Sequence, residues 1–316
     1  MMKTYISGLF LVLSSTLMAQ NNTDITGIYT LGSSPEGSSL LWVLENGKYA
    51  ITYFGGVQVG SWKKKDNAFE FKPAVRENKF ELYGRKSKHL KVKSRIFFSG
   101  FEDTDVFVGF TNKEEPLKMK RVFNEDANCF GFPYVHTLDE IPGIISFMYE
   151  DNGKESVVYT FEIPLGYNDF AVLNYVRSAQ SEEMSFTAVY KDNSLQILNG
   201  YANEDEAYGK HPLPEEGEDI DFLMEITSKD MTSPETIYYN PSYMNFEDEP
   251  GESYEFIEER TVYINPEYYE EGDEYDDSED FYDKASVIFP YQAIKPVKEA
   301  KEYQLDNESI FTVTCD

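Results

Sequence analysis

The chain has 316 residues, with 57 Asp and Glu against 28 Lys and Arg and a formal net charge of −29. That balance speaks against a nucleic-acid partner, because phosphate binding needs clustered cations. Aromatic residues make up 16% of the chain, 24 Tyr and 23 Phe among them, a bias towards strands because flat rings pack well on a half-buried pleated surface.

The first 19 residues read as a secretory signal peptide. Lys3 supplies the positive start, Tyr5 to Leu13 form an apolar run, and Ser14 to Ala19 lead into a small-residue cleavage site. The run is shorter than the roughly 20 apolar residues that span a bilayer. Cleavage after Ala19 and export to the periplasm or the exterior are expected. No later stretch is apolar enough to span, so no transmembrane anchor is expected, and Gln20, Asn21 and Asn22 offer no cysteine for a lipid anchor.

From residue 20 to 123 the pattern predicts a first, barrel-like β unit. Ile25 to Leu31 open it; Leu40 to Glu45, Lys48 to Phe54 and Val57 to Lys64 follow as three strands joined at Asn46-Gly47 and Gly55-Gly56. Those pairs tolerate the positive φ of two-residue hairpin turns, and Gly47 and Gly56 are expected to hold it. Tyr49, Ile51 and Tyr53 alternate with Ala50, Thr52 and Phe54, which gives the strand two unlike faces. Further strands are expected at 68–72, 79–83, 92–99, 105–111 and 117–123. Residues 124–200 repeat this grammar as a second antiparallel unit, with strands at 144–150, 156–163, 170–176, 185–190 and 195–198 and a turn at Asp151-Asn152-Gly153. The fold class is therefore mainly β, two antiparallel meander units of barrel or sandwich type with acidic loops.

The charge is unevenly spread. Residues 21–125 hold 17 Lys and Arg and 13 Asp and Glu, whereas residues 126–316 hold 10 and 44. Such a split predicts regions of different surface chemistry. Residues 201–283 hold 28 acids against Lys210, Lys229 and Arg260, and read as long Tyr-rich acidic loops tethered by short strands. An internal repeat runs through them: Thr236-Ile237-Tyr238-Tyr239-Asn240-Pro241 recurs as Thr261-Val262-Tyr263-Ile264-Asn265-Pro266. Residues 284–316 return to strand composition and are expected to complete the second unit.

No catalytic or cofactor-binding residue can be named. His89, His136 and His211 lack the spacing of a zinc site, and neither a nucleophile elbow nor a phosphate-cradling glycine loop is present. With 57 acids, a pair of carboxylates able to hydrolyse a glycan stays open as an alternative. The run from Glu270 to Asp283 suits weak Ca²⁺ association, but counted from Asp273 it has Ser278 and Lys284 where a calcium loop needs glycine and glutamate. Arg85, Lys86, Lys88, Lys91, Lys93 and Arg95 crowd together. They form either a solvated strand with Leu90 and Val92 inward, or a contact for an anionic glycan, a lipid head group or the chain's own acidic part. Cys129 and Cys315 either pair or remain two thiols.

Gly27-Ile28-Tyr29 opening the first strand, followed by hairpins and by Gly60-Ser61-Trp62, resembles the lipocalin-like secreted β-barrel domains over residues 24–122. That resemblance implies an apolar ligand inside the barrel, lined by Tyr49, Tyr53 and Phe69. The leader, its Gln-Asn start and the Tyr/Asp-rich β units are also similar to exported proteins of the Bacteroidetes group. Together these readings predict an exported, non-enzymatic binding or surface-interaction protein whose partner is a glycan or another exported protein, with an apolar carrier and a carboxylate-dependent glycan hydrolase as alternatives.

Overall fold

A computed structural model describes residues 24–315 except 36, 89, 103, 113–116, 150–155, 177–179, 200–205, 229–232, 241–244, 248–249, 259–260, 267–286 and 300–301. The expected leader, His89, the Asp151-Asn152-Gly153 turn and the run from Glu270 to Asp283 lie outside those residues.

The first strands are β1 (Gly27–Ser34), β2 (Gly37–Val43), β3 (Lys48–Tyr53), β4 (Gly56–Lys65) and β5 (Ala68–Pro73). Then come β6 (Phe80–Arg85), β7 (Ser94–Ser99), β8 (Val106–Thr111), β9 (Leu117–Phe123), β10 (Tyr134–Leu138), β11 (Ile144–Tyr149), β12 (Val157–Glu162) and β13 (Asp169–Asn174). After these follow β14 (Phe186–Lys191), β15 (Ser194–Ile197), β16 (Ala207–His211) and the helix α1 (Glu218–Ser228). The chain ends with β17 (Thr236–Asn240), β18 (Asn245–Glu247), β19 (Glu255–Ile257), β20 (Val262–Ile264), β21 (Val287–Ile294), β22 (Val297–Glu299) and β23 (Tyr303–Phe311). The fold is mainly β, as the composition predicts.

Two compact units share these elements. Of the described residues, those up to 73 and those within 182–229 form one, and those within 74–181 and from 230 onward the other. The boundary expected between residues 123 and 124 therefore falls inside the second unit, and the strands expected to extend that unit at 185–198 belong to the first. Neither charge balance read along the sequence belongs to one unit, since each unit draws on both halves of the chain.

In the first unit β1, β16, β15, β14, β5, β4, β3 and β2 close, in that order, into an eight-stranded antiparallel barrel. Alternation along each strand sends Tyr29, Leu41, Tyr49, Ile51, Phe69, Phe71, Phe186 and Leu195 into one buried cluster. Rings pack on one another within it: Phe71 stacks on Phe186 at 4.4 Å and Tyr49 meets both edge-on at 5.3 and 5.8 Å. Helix α1 is an element that the periodicity reading missed. Glu218, Asp219 and Asp221 crowd its first turn, where they complement the positive end of the helix dipole, and Leu223 and Thr227 are its buried residues.

The hairpin turns differ in detail from expectation. Val43 pairs with Tyr49 and the Leu44 amide bonds the Lys48 carbonyl at 2.9 Å, so three residues, Glu45 to Gly47, make the first connection. Gly47 takes the left-handed position at φ 77°. In the second, Tyr53 pairs with Gly56, leaving the two-residue loop Phe54-Gly55. Gly55 holds φ 78° there, and Gly56 is the first residue of β4.

The second unit packs two sheets face to face. One runs β10-β7-β13-β6-β21-β17-β18, with the β19–β20 hairpin joined to β21; the other runs β22-β12-β11-β8-β9-β23. Phe80, Ile96, Phe98 and Phe170 of the first meet Ile145, Phe147, Tyr159 and Phe161 of the second in a shared core. The far face of the first sheet is also buried, by Tyr83, Phe97, Tyr239, Val262, Phe289 and Tyr291. Both copies of the repeat serve that face. β17 and β20 each pair with β21, Tyr238 meets Tyr263 at 5.1 Å, and Asn240 and Asn265 are both buried.

Candidate functional site

Among the described residues, one concavity lies in the second unit, where the segments leading into β6 and β17 and the end of β21 converge. It has a volume of about 1000 Å³, and its wall includes Val75, Glu77, Asn78, Glu81, Ser233 and Lys295. Val75 and Val297 expose apolar surface there. Lys295 pairs with Glu235 at 3.2 Å, both side chains largely in solvent.

Glu81 is the one deeply buried charge of this wall, 5% exposed. Its Oε1 accepts from Arg76 Nη1 and from Ser233 Oγ, each at 2.7 Å, and its Oε2 accepts from the Tyr83 hydroxyl at 3.0 Å. A buried carboxylate needs such partners to offset its lost hydration. The Arg76 guanidinium lies 4.0 Å over the Tyr175 ring. Burial pushes the Tyr83 hydroxyl far above the ordinary phenol range, and the Glu81 charge adds to this, so Tyr83 remains a donor. The sequence reading missed Glu81. Its place between Phe80 and Leu82 marks it as facing away from the core, and nothing local signals that β17 and β21 cover that face too.

The basic strip divides. Arg85 ends β6 and Arg95 sits near the start of β7, and both reach Asp169 on β13, the strand between them. Asp169 is fully buried; Arg85 Nη2 lies 2.7 Å from its Oδ2 and Arg95 Nε 3.1 Å from its Oδ1. The Tyr291 hydroxyl donates to the same carboxylate at 3.2 Å, and the Arg85 guanidinium covers the Phe289 ring at 3.9 Å. The two arginines thus serve an internal acid of their own unit. Lys86, Lys88, Lys91 and Lys93 remain exposed on the connection between β6 and β7. Val92, expected to point inward from a strand, is 73% exposed, because residues 90–92 form a turn with Lys91 at φ 53°.

Cys129 and Cys315 form a disulfide with Cα atoms 5.3 Å apart. His211 is exposed. His136 is half-buried, stacked on Phe110 at 5.6 Å with Phe311 at its edge, and burial holds its imidazole below the usual histidine range, helped by Lys120. Among the described residues no cluster of His, Cys, Asp and Glu suits a metal ion, and no helix is long and apolar enough to cross a membrane. Of the residues expected to line the barrel, Tyr49 and Phe69 are inside, whereas Tyr53 is 49% exposed. No protein-family model, curated protein or solved structure matches the chain.

Proposed function

We propose that this chain is an exported binding protein that holds a polar, hydroxyl-bearing ligand such as a glycan segment in the cleft beside Glu81. The observation that carries the reading is the wall of that cleft. Its volume, about 1000 Å³, is in the range of small-molecule sites. Carboxylate, amide and hydroxyl groups from Glu77, Asn78, Ser233 and Glu235 suit sugar hydroxyls, and Val75 and Val297 suit the apolar edges of a pyranose.

Binding is favoured over hydrolysis because both oxygens of the buried Glu81 already accept donors from Arg76, Ser233 and Tyr83. A glycosidase acid must instead be free to face the scissile oxygen. The carrier alternative loses support from the rings of Tyr49, Phe71 and Phe186, which pack on one another in the buried cluster of the barrel strands. Amide chemical shifts of the isotope-labelled protein, followed while neutral oligosaccharides are added, test the reading. Saturable shifts are expected at residues 75–83, 233–235 and 293–297. Shifts confined to the barrel strands, or none with any oligosaccharide, would overturn it, and release of reducing ends would return the hydrolase.

A further inference from the structure

The strip of lysines that the buried arginines leave behind has a surface of its own. The register of Asp169 with both Arg85 and Arg95 puts the end of β6 and the starts of β7 and β13 at one end of the sheet. The connections 86–93 and 163–168 therefore emerge side by side. Asn168, itself buried, ties them: its Oδ1 accepts from the Ser87 amide at 2.7 Å and its Nδ2 donates to the Ser87 carbonyl at 2.9 Å. The Lys86 Cδ lies 3.9 Å from where a Cβ on Gly166 would stand.

At the tip of the second connection Leu165 is completely exposed, and Val92 on the first is 73% exposed. Lys86, Lys88, Lys91 and Lys93, on the first connection, are all exposed. Among the described residues of these connections and of the one between β10 and β11, the acids at this end are Glu162, Asp139 and Glu140; Asp139 lies 3.5 Å from Lys93, in solvent. Among the described residues four ammonium groups here face three carboxylates, a cationic balance on a chain of net charge −29. Charges further away than a screening length of about 8 Å at physiological salt contribute little to what a nearby surface senses.

We propose that this end of the second unit is a docking surface for an anionic lipid bilayer, with Leu165 and Val92 entering the head-group layer and the four lysines facing lipid phosphates. An apolar tip framed by lysines fits that partner because each half of the patch answers one layer of the bilayer. A soluble polyanion would use the lysines and leave Leu165 in water. Asn168 ties the second connection to Ser87 at the base of the first, and Asp169 holds Arg85 and Arg95 at its two ends, which lowers the order that has to be gained on docking.

Sedimentation of the full protein with vesicles tests this. Phosphatidylcholine vesicles containing phosphatidylglycerol are expected to pellet the protein at low salt, pure phosphatidylcholine vesicles to leave it in solution, and added salt to reverse the binding. Changing Lys86, Lys88, Lys91 and Lys93 to Gln should weaken partitioning by about fivefold per lysine, while the same positions as Arg should retain it. Leu165→Ser, which alters no charge, should weaken it by about tenfold. Absence of binding to the anionic vesicles, equal binding to both vesicle types, or an unchanged four-lysine variant overturns the proposal. So does an undiminished Leu165→Ser variant that a soluble sulfated polysaccharide displaces, since the patch would then read an anionic glycan.

Discussion

Arg85 and Asp169 face each other across the ladder between β6 and β13, with Arg85 Nε 2.8 Å and Nη2 2.7 Å from the same carboxylate oxygen. On the other flank of β13, Arg95 completes a row of three charges, and the connection that carries the lysines starts and ends in this row.

Removing the acid should therefore cost more than removing either base. In Asp169→Asn two largely buried guanidinium groups lose the charge that compensates them, and breaking a buried pair in this way costs about 3–5 kcal/mol. Arg85→Met or Arg95→Met leaves Asp169 one guanidinium and should cost less. Urea unfolding of the three variants measures the order, and an Asp169→Asn cost below that of both arginine variants would show that the carboxylate is dispensable.

Two glycines in the barrel support a second expectation. Gly47 and Gly55 hold φ of 77° and 78°, a region strained for branched side chains. Nothing lies within 4 Å of a Cβ built on Gly55, so a substitution there isolates the backbone cost. Gly55→Val and Gly47→Val should each destabilise by about 1 kcal/mol or more. Thermal unfolding of Gly55→Val at the parent's midpoint would contradict the turn geometry.

What was legible in the sequence follows the range of the interactions. The hairpins from β2 to β5 rest on turn residues and alternation within a few positions, and there the strands fall within a few residues of expectation. The repeat was legible as similarity, and the structure adds its reason: both copies are neighbours of β21 and bury their asparagines. Barrel closure was not legible, because β5 meets β14 only after the chain has run through residues 74–181. The site failed for the same reason. Nothing around Asp169 announces arginines 74 and 84 residues earlier, and nothing around Glu81 announces Ser233, 152 residues later.

His136 gives the chain a pH response of known sign. Burial between Phe110 and Phe311 disfavours the charged ring, with Lys120 adding to this, so the folded state binds its proton less readily than the unfolded state. Stability from this group is complete above the unfolded value of about 6.5 and is lost as pH falls through the lower folded value, below which it changes no further. Denaturant midpoints across that window should fall towards acid in the parent, and less so in His136→Gln. A variant with the parent's full slope would place the response on other groups.

The disulfide supports the last expectation, which is local unfolding of the C-terminal strand. β23 is an edge strand, parallel to β9, with many of its residues exposed. Its side chains that pack on buried clusters are only partly buried: Ile310 and Phe311 on the shared core, and Tyr303 on the cluster of Leu117 and Met119. Just beyond it, Asn124 Oδ1 accepts from the Val313 amide and Asn128 Oδ1 from the Cys315 amide, each at 2.7 Å, and the Cys129–Cys315 bond closes the end. An edge strand opens at a fraction of the global unfolding free energy unless something holds its end. The bond spans 186 residues, and tethering the unfolded chain over so long a loop stabilises by about 5 kcal/mol in the chain-entropy account. Replacing both cysteines by serine should lower the denaturant midpoint and, well before that, speed amide exchange across residues 303–311 while β11 and β12 stay protected. If exchange in β23 is unchanged when the bond is absent, the asparagine clasps and the parallel ladder hold the strand without it, and the disulfide acts on the unfolded chain alone.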